Sequence, residues 1–103
     1  MRMTYGDVKP PNMKIKAEEV REGDIIYKKV SPAQATNTMM VEPFFIHNIY
    51  DYNLDADLIG LIYFHARHLD VLDAPIPTEL DHFNKEEPML VYRYSLNKIL
   101  QKL

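Results

Sequence analysis

The sequence contains no cysteine, no tryptophan and only three glycines in 103 residues. Without cysteine, neither a disulfide framework nor a thiolate metal site can form. With so few glycines, neither the G-x-G-x-x-G fingerprint nor a P-loop is present, which excludes a phosphate-cradling loop of either kind. The longest strongly apolar run, Leu58 to Phe64, is far too short to span a bilayer, and no secretory signal opens the chain. We therefore expect a soluble, cytoplasmic protein that does not associate with membranes.

Nucleophilic residues are also scarce. Serine occurs only at Ser31 and Ser95, and neither position lies in a glycine-flanked elbow. Carboxylates are plentiful, but ten of them within residues 42–87 make accidental pairs certain, so a pair carries no catalytic signal. We expect no enzymatic activity, no catalytic residue and no cofactor.

The net charge of −3 hides an uneven distribution. Residues 1–29 carry seven Lys or Arg against five Asp or Glu. Residues 42–87 carry ten Asp or Glu against only Arg67 and Lys85, a balance of −8. An acidic surface repels phosphate, so most of the chain is unsuited to unspecific contact with a nucleic-acid backbone.

Length and composition indicate one folded domain. Hydrophobic residues make up 47% and charged residues 26% of the chain, which is the balance of a globular protein, and 103 residues are too few for two cores. Residues 1–12 contain Gly6 and the pair Pro10-Pro11 without any apolar period, so we predict a flexible N-terminal arm there. The regular pattern begins at Met13, a second candidate for the start, and the domain covers residues 13–103.

Period-2 alternation of apolar and polar residues predicts several β-strands. Met13 and Ile15 alternate with Lys14 and Lys16, and the run after Pro88, MLVYRYS, alternates in the same way. In the run FFIHNIY both faces carry large apolar groups, as in a strand that is covered on each side. The last segment has apolar residues at helical spacing behind a candidate N-cap, and it predicts a short C-terminal helix at about residues 95–102.

The segment Ala17 to Ile26, AEEVREGDII, resembles the opening of many small SH3-like barrels. In these barrels an x-V-x-x-G-D-x-I turn leads into the first long strand, and Gly23-Asp24 is a strong turn dipeptide. The resemblance covers about a tenth of the chain and implies an architecture but no functional residues. We predict a mainly β fold: a small antiparallel SH3-like barrel or curved sheet of about five strands with a short C-terminal helix.

The segment LIGLIYFHARHL fits two interpretations. As a helix over residues 58–72 it would place Leu61, His65 and Leu69 on one face. As a strand its first eight residues are dense in β-branched and aromatic side chains, with Gly60 at a bulge or a close approach. Gly60 would cost a helix about 1 kcal/mol relative to alanine, so we predict the strand. For residues 70–87 we predict an extended loop with one helical turn at Thr78–Phe83.

The tyrosines supply the leading functional hypothesis, because they present a rigid apolar body with a polar tip. We expect a non-enzymatic protein-interaction module, or a small regulatory or inhibitory accessory protein, that uses an acidic, tyrosine-rich surface. Self-association into a homodimer, through exposed strand edges or the C-terminal helix, is a further expectation. The predicted partner-binding residues are Tyr50, Asp51, Tyr52, Asp55 and Asp57.

Two alternatives remain open at this point. The first is a nucleic-acid-binding barrel, which requires six basic side chains to converge on one face: Lys14, Lys16, Arg21, Lys28, Lys29 and Arg93. The second is a metal-dependent enzyme that uses His65, His68 and Asp70 as ligands. It requires the helix at 58–72, because two histidines three residues apart share a face on a helix but not on a strand.

Overall fold

Six antiparallel strands form one sheet that is not closed, so the predicted mainly β class is confirmed. The computed structural model describes residues 3–30, 40–52, 56–71 and 75–94. The strands are β1 (Met13–Lys16), β2 (Ile25–Val30), β3 (Met40–Asp51), β4 (Leu58–His65), β5 (Glu79–Asn84) and β6 (Pro88–Tyr92). Their order in the sheet is β1-β6-β2-β3-β4-β5. The sheet thus has six strands where the sequence predicts about five.

The ambiguous segment forms a strand, as predicted. β4 pairs with β3 on one side and with β5 on the other, so Gly60 lies between Tyr50 and His82. A central strand needs apolar residues on both faces, and the sequence LIGLIYFH provides them. A helical turn begins only after His65, as a short 3₁₀ segment at Ala66–Asp70.

The prediction for residues 70–87 is wrong over β5. In place of a helical turn, residues 79–84 pair in register along β4, from Tyr63 opposite Glu79 to Leu58 opposite Asn84. The physical reason is tertiary, because the backbone groups on the outer side of β4 need partners and β5 supplies them. The predicted C-terminal helix at 95–102 lies outside the described residues. Among the residues that are described, no helix is long and apolar enough to cross a membrane.

The apolar side chains form two clusters, one on each face of the sheet. Neighbouring residues of a strand point to opposite faces and therefore enter different clusters. The first cluster includes Ile26, Phe44, Ile46, Leu61, Tyr63 and Val91. The second includes Met3, Ile25, Phe64, Leu69 and Tyr92.

Residues 3–12, which belong to the predicted flexible arm, lie against the second face. Met3 is buried in the second cluster. The backbone N–H of Tyr5 donates to the Asp70 carboxylate at 3.0 Å. Asn12 forms hydrogen bonds to the end of β6 through both its backbone and its side chain. This segment covers the apolar face beside the 3₁₀ turn.

The connection between β5 and β6 determines the shape of the sheet. Only residues 85–87 join these two strands, and the N–H of Glu87 donates to the carbonyl of Asn84 at 2.9 Å. A turn of this kind spans less than about 7 Å. In a flat sheet β5 and β6 would lie about 19 Å apart, because β4, β3 and β2 separate them. The sheet must therefore curl until its two ends approach each other, which agrees with the predicted curved sheet.

The turn before β2 is held by a buried carboxylate. Gly23 has φ of +89°, a conformation that glycine adopts readily. Asp24, 2% exposed, accepts the backbone N–H of Arg21 at 2.8 Å. Its two oxygens also accept Nε and Nη2 of Arg93 at 2.9 and 2.8 Å. This bidentate pair joins the turn to the residue that follows β6.

We expect Arg93→Met to lower the free energy of unfolding by about 3 kcal/mol, because it leaves the Asp24 carboxylate buried without a cation. Urea denaturation of the purified protein measures this loss. Lys16→Met is the matched control, because the Lys16–Glu86 pair is solvent-exposed and its loss should change the free energy of unfolding little. Equal losses in the two variants would contradict a special role for the buried pair.

Candidate functional site

Four large apolar side chains lie exposed on one face of the sheet, beside its β5 edge. Their exposed fractions are 52% for Tyr50, 44% for Tyr52, 46% for Leu58 and 46% for Leu80. The ladder register explains why they share a face: Tyr50, Gly60 and His82 lie directly opposite one another, and the others lie two residues away from these positions. We call Tyr50, Tyr52, Leu58, Leu80 and His82 the tyrosine patch.

The rings of the tyrosine patch hold one another in place. Tyr50 and Tyr52 stack with centroids 5.8 Å apart and an interplanar angle of 27°. Tyr52 also packs on His82, with centroids 5.0 Å apart, and its hydroxyl forms a hydrogen bond with Nε2 at 2.6 Å. These contacts fix an apolar surface that remains open to a partner.

Gly60 forms the floor of the patch. A Cβ at this position would lie 3.1 Å from Leu80 Cδ1, from Tyr50 Cβ and from Tyr52 Cε2. The sequence predicts either a bulge or a close approach at Gly60, and the structure shows the close approach. The irregularity in register lies instead on β3, between Ile46 and Asn48. Glycine at position 60 thus allows the patch side chains to lie directly on the backbone of β4.

A charged cluster occupies the other face of the sheet. Lys28 Nζ lies 2.7 Å from Asp81 Oδ2 and 4.2 Å from the centroid of the Tyr63 ring. The Tyr63 hydroxyl also bonds to both partners. Hydrogen bonds from Lys28 and Tyr63 lower the pKa of Asp81, and burial followed by Asp81 raises the pKa of Tyr63. The phenol therefore keeps its proton, and Lys28 and Asp81 neutralise each other within the fold.

A small cleft of about 210 Å³ lies between β3, β4 and the start of β5. His65 lines it, with Nδ1 accepting the backbone N–H of Arg67 at 3.1 Å. In the neutral ring the proton is therefore on Nε2, which lies 3.6 Å from Glu42 Oε2. Burial lowers the pKa of His65, and Arg67 adds to this while Glu42 opposes it. The cleft is smaller than the roughly 300–1,000 Å³ typical of small-molecule sites.

The residues of the metal hypothesis do not form a metal site. His65 ends β4, whereas His68 lies in the 3₁₀ turn and the Asp70 carboxylate accepts the N–H of Tyr5. Within the described parts of the chain, no group of three or more His, Asp or Glu side chains is placed to hold a metal ion. The helix that this hypothesis requires is a strand over residues 58–65.

Three of the six basic residues named for nucleic-acid binding form ion pairs within the chain. The pairs are Lys16–Glu86 at 3.0 Å, Lys28–Asp81 at 2.7 Å and Arg93–Asp24 at 2.8 Å. The other three, Lys14, Arg21 and Lys29, are exposed on different elements. As neighbours on β2, Lys28 and Lys29 point to opposite faces of the sheet. The fold does not gather the six side chains into one patch.

The residues of the protein-interaction hypothesis are divided by the fold. Tyr50 and Tyr52 form the centre of the tyrosine patch. Asp51, between them in sequence, is exposed and lies 3.5 Å from Lys85 Nζ. Asp57 is exposed beside the start of β4. Asp55 lies outside the described residues.

Sequence reasoning missed three members of the patch: Leu58, Leu80 and His82. Leu80 and His82 reach the patch only because β5 pairs with β4, and nothing in the local sequence predicts that strand. Leu58 belongs to a predicted strand, but the strand alone does not show which face is exposed. Only the register between β3, β4 and β5 identifies these residues.

Comparisons with models of protein families, with curated proteins and with solved structures give no match.

We expect His65→Gln to flatten the pH dependence of stability between about pH 7 and pH 5. Since burial lowers the pKa of His65 in the fold, the unfolded chain takes up a proton first as the pH falls below about 6.5. Stability that is complete above this pH is therefore lost as the pH falls towards the lowered pKa. Thermal denaturation across this range measures the effect.

The matched control for this measurement is His47→Gln, because the His47 side chain is exposed on β3. This variant should retain the pH dependence of the parent protein. An unchanged slope in His65→Gln would show that the His65 ring does not carry the effect.

Proposed function

We propose that this chain is a non-enzymatic protein-interaction module whose contact surface is the tyrosine patch. The observation that carries the proposal is the set of exposed apolar side chains that the ladder places side by side on one face. A contiguous apolar surface with a polar surround is typical of a protein-binding site, whereas isolated exposed apolar residues are common. The proposal includes a small regulatory or inhibitory accessory role for this chain.

The composition of the patch suits a protein partner. Tyrosine contributes a large contact area with little loss of conformational entropy, and it is enriched among the residues that dominate binding energy. The stacking of Tyr50 on Tyr52 and the bond from Tyr52 to His82 reduce that loss further, because these rings are already ordered before binding.

The surrounding charge favours a protein over a nucleic acid. Residues 42–87, which supply the whole patch, carry ten acidic side chains against two basic ones. Stacked tyrosines can also bind bases, but such sites combine the aromatic rings with a positively charged groove. The basic residues that would form that groove are paired or dispersed in this fold, so we expect the partner to be a protein with a basic surface.

Site-specific photo-cross-linking tests the proposal. Benzoylphenylalanine in place of Tyr52 should form an adduct with a discrete protein in lysate of the source cells. Excess unmodified protein should compete for this adduct, and Tyr50→Ser should abolish it. The control position is Leu90 on β6, which is 51% exposed but lies on a strand that pairs with none of β3, β4 and β5. Equal cross-linking at both positions, or none at position 52, would contradict the proposed contact surface.

Fluorescence anisotropy with labelled oligonucleotides separates this proposal from the nucleic-acid alternative. We expect no binding at either low or physiological salt, because residues 42–87, which supply the patch, carry a net negative charge. Micromolar binding that weakens steeply with salt would overturn the proposal in favour of a nucleic-acid-binding domain.

A further inference from the structure

The tyrosine patch adjoins an edge strand that has a neighbour on only one side among the described residues. β5 is the last strand in the sheet and pairs only with β4 among the described residues. Four of its six residues are exposed, and the other two are half-buried. Such an edge presents a row of unpaired N–H and C=O groups that can bind another strand.

The two edges of the sheet differ in how they are protected. β1, at the opposite edge, has only four residues, and two of them are the exposed lysines Lys14 and Lys16. Short length and lysine are common means of blocking an edge. β5 is longer and contains neither lysine nor proline. Its Asp81 points inward, which would also protect an edge, but Lys28 neutralises that charge.

The charges of β5 suit a basic partner strand. β5 contains two acidic residues, Glu79 and Asp81, and no lysine or arginine. Lys28 forms an ion pair with Asp81, whereas Glu79 is exposed. A second copy of β5 brings no lysine or arginine to Glu79. A segment with Lys or Arg opposite Glu79 forms an oppositely charged cross-strand pair, which stabilises a sheet.

We infer that the free edge of β5 takes up an extended segment of a partner protein as a seventh strand. This inference rests on the proposed function and specifies the chemistry of the partner. On the patch face the segment carries apolar residues, which pack against Leu80 and the tyrosines. On the other face it carries Lys or Arg, which lie beside Glu79. Main-chain hydrogen bonds supply the affinity and the alternating side chains supply the specificity.

Synthetic peptides test this mode of binding. A capped peptide of about eight residues that alternates lysine and valine should bind the full chain, as measured by calorimetry. A peptide in which glutamate replaces lysine should bind at least about tenfold more weakly, because its charges repel the acidic edge. The lysine–valine peptide with every backbone amide N-methylated keeps the side chains but cannot donate hydrogen bonds, and it should not bind.

Hydrogen exchange locates the bound peptide. Addition of the lysine–valine peptide should slow amide exchange within β5 and leave β1 unchanged. Leu80→Ser should weaken binding about tenfold, whereas the equally exposed Leu90→Ser should not. Because both side chains are exposed, both variants should unfold in urea like the parent, and this measurement confirms that they are folded.

Each of the following outcomes would overturn the inference. Binding of the N-methylated peptide with unchanged affinity would show contact through side chains alone. Slower amide exchange in β1 and not in β5 would show that the peptide binds at the opposite edge of the sheet. A stable dimer in light scattering whose β5 amides are protected without peptide would make a second copy the occupant. If position 52 cross-links but no peptide binds, strand addition at β5 is wrong and the proposed interaction module is unaffected. If position 52 does not cross-link and no peptide binds, both the strand addition and the interaction module are wrong.

Discussion

The three-residue connection between β5 and β6 is the constraint on which the shape of the molecule depends. It joins two strands that a flat sheet would hold far apart, so the sheet has to curl. The β1–β6 pairing continues into this connection, where Ala17 and Glu18 donate hydrogen bonds to the carbonyls of Glu87 and Lys85. The curl lets Lys28 on β2 reach Asp81 across two intervening strands, and it encloses the first apolar cluster. β5 stays at the outer edge because no ladder joins it to β1 among the described residues.

Much of the fold could be predicted from local sequence, and the exception has a physical cause. Alternation identified β1 and β6, and the turn dipeptide Gly23-Asp24 lies where the SH3-like pattern places it. β4 could be predicted because its apolar residues serve both faces of the sheet. The sequence ELDHFN of β5 has no β-branched residue and follows two prolines, so its propensity opposes a strand. It forms a strand because its backbone groups pair with those of β4. This cause is tertiary, so the local sequence pattern does not indicate it.

Part of the candidate site could likewise be predicted from the sequence, and part could not. Tyr50 and Tyr52 could be proposed from residue type alone, because tyrosine presents a rigid apolar body with a polar tip. Their companions Leu80 and His82 come from a strand that the sequence did not predict. The pairing of Lys28 with Asp81 was equally hidden, because these residues are 53 positions apart in the sequence. Residue type therefore led to the proposed kind of site, while the strand register determined which residues form the patch and paired Lys28 with Asp81.

The position of β6 between β1 and β2 has a consequence for how the protein is made. β1 pairs only with β6 among the described strands, and Met13 lies opposite Val91. Contacts between residues so distant in sequence slow folding, because the loop between them must close first. A nascent chain cannot complete its sheet until the ribosome has released residues 88–92. Until then β1 and one side of β2 lack their ladder, so synthesis passes through a stage in which chaperones or aggregation compete for these edges.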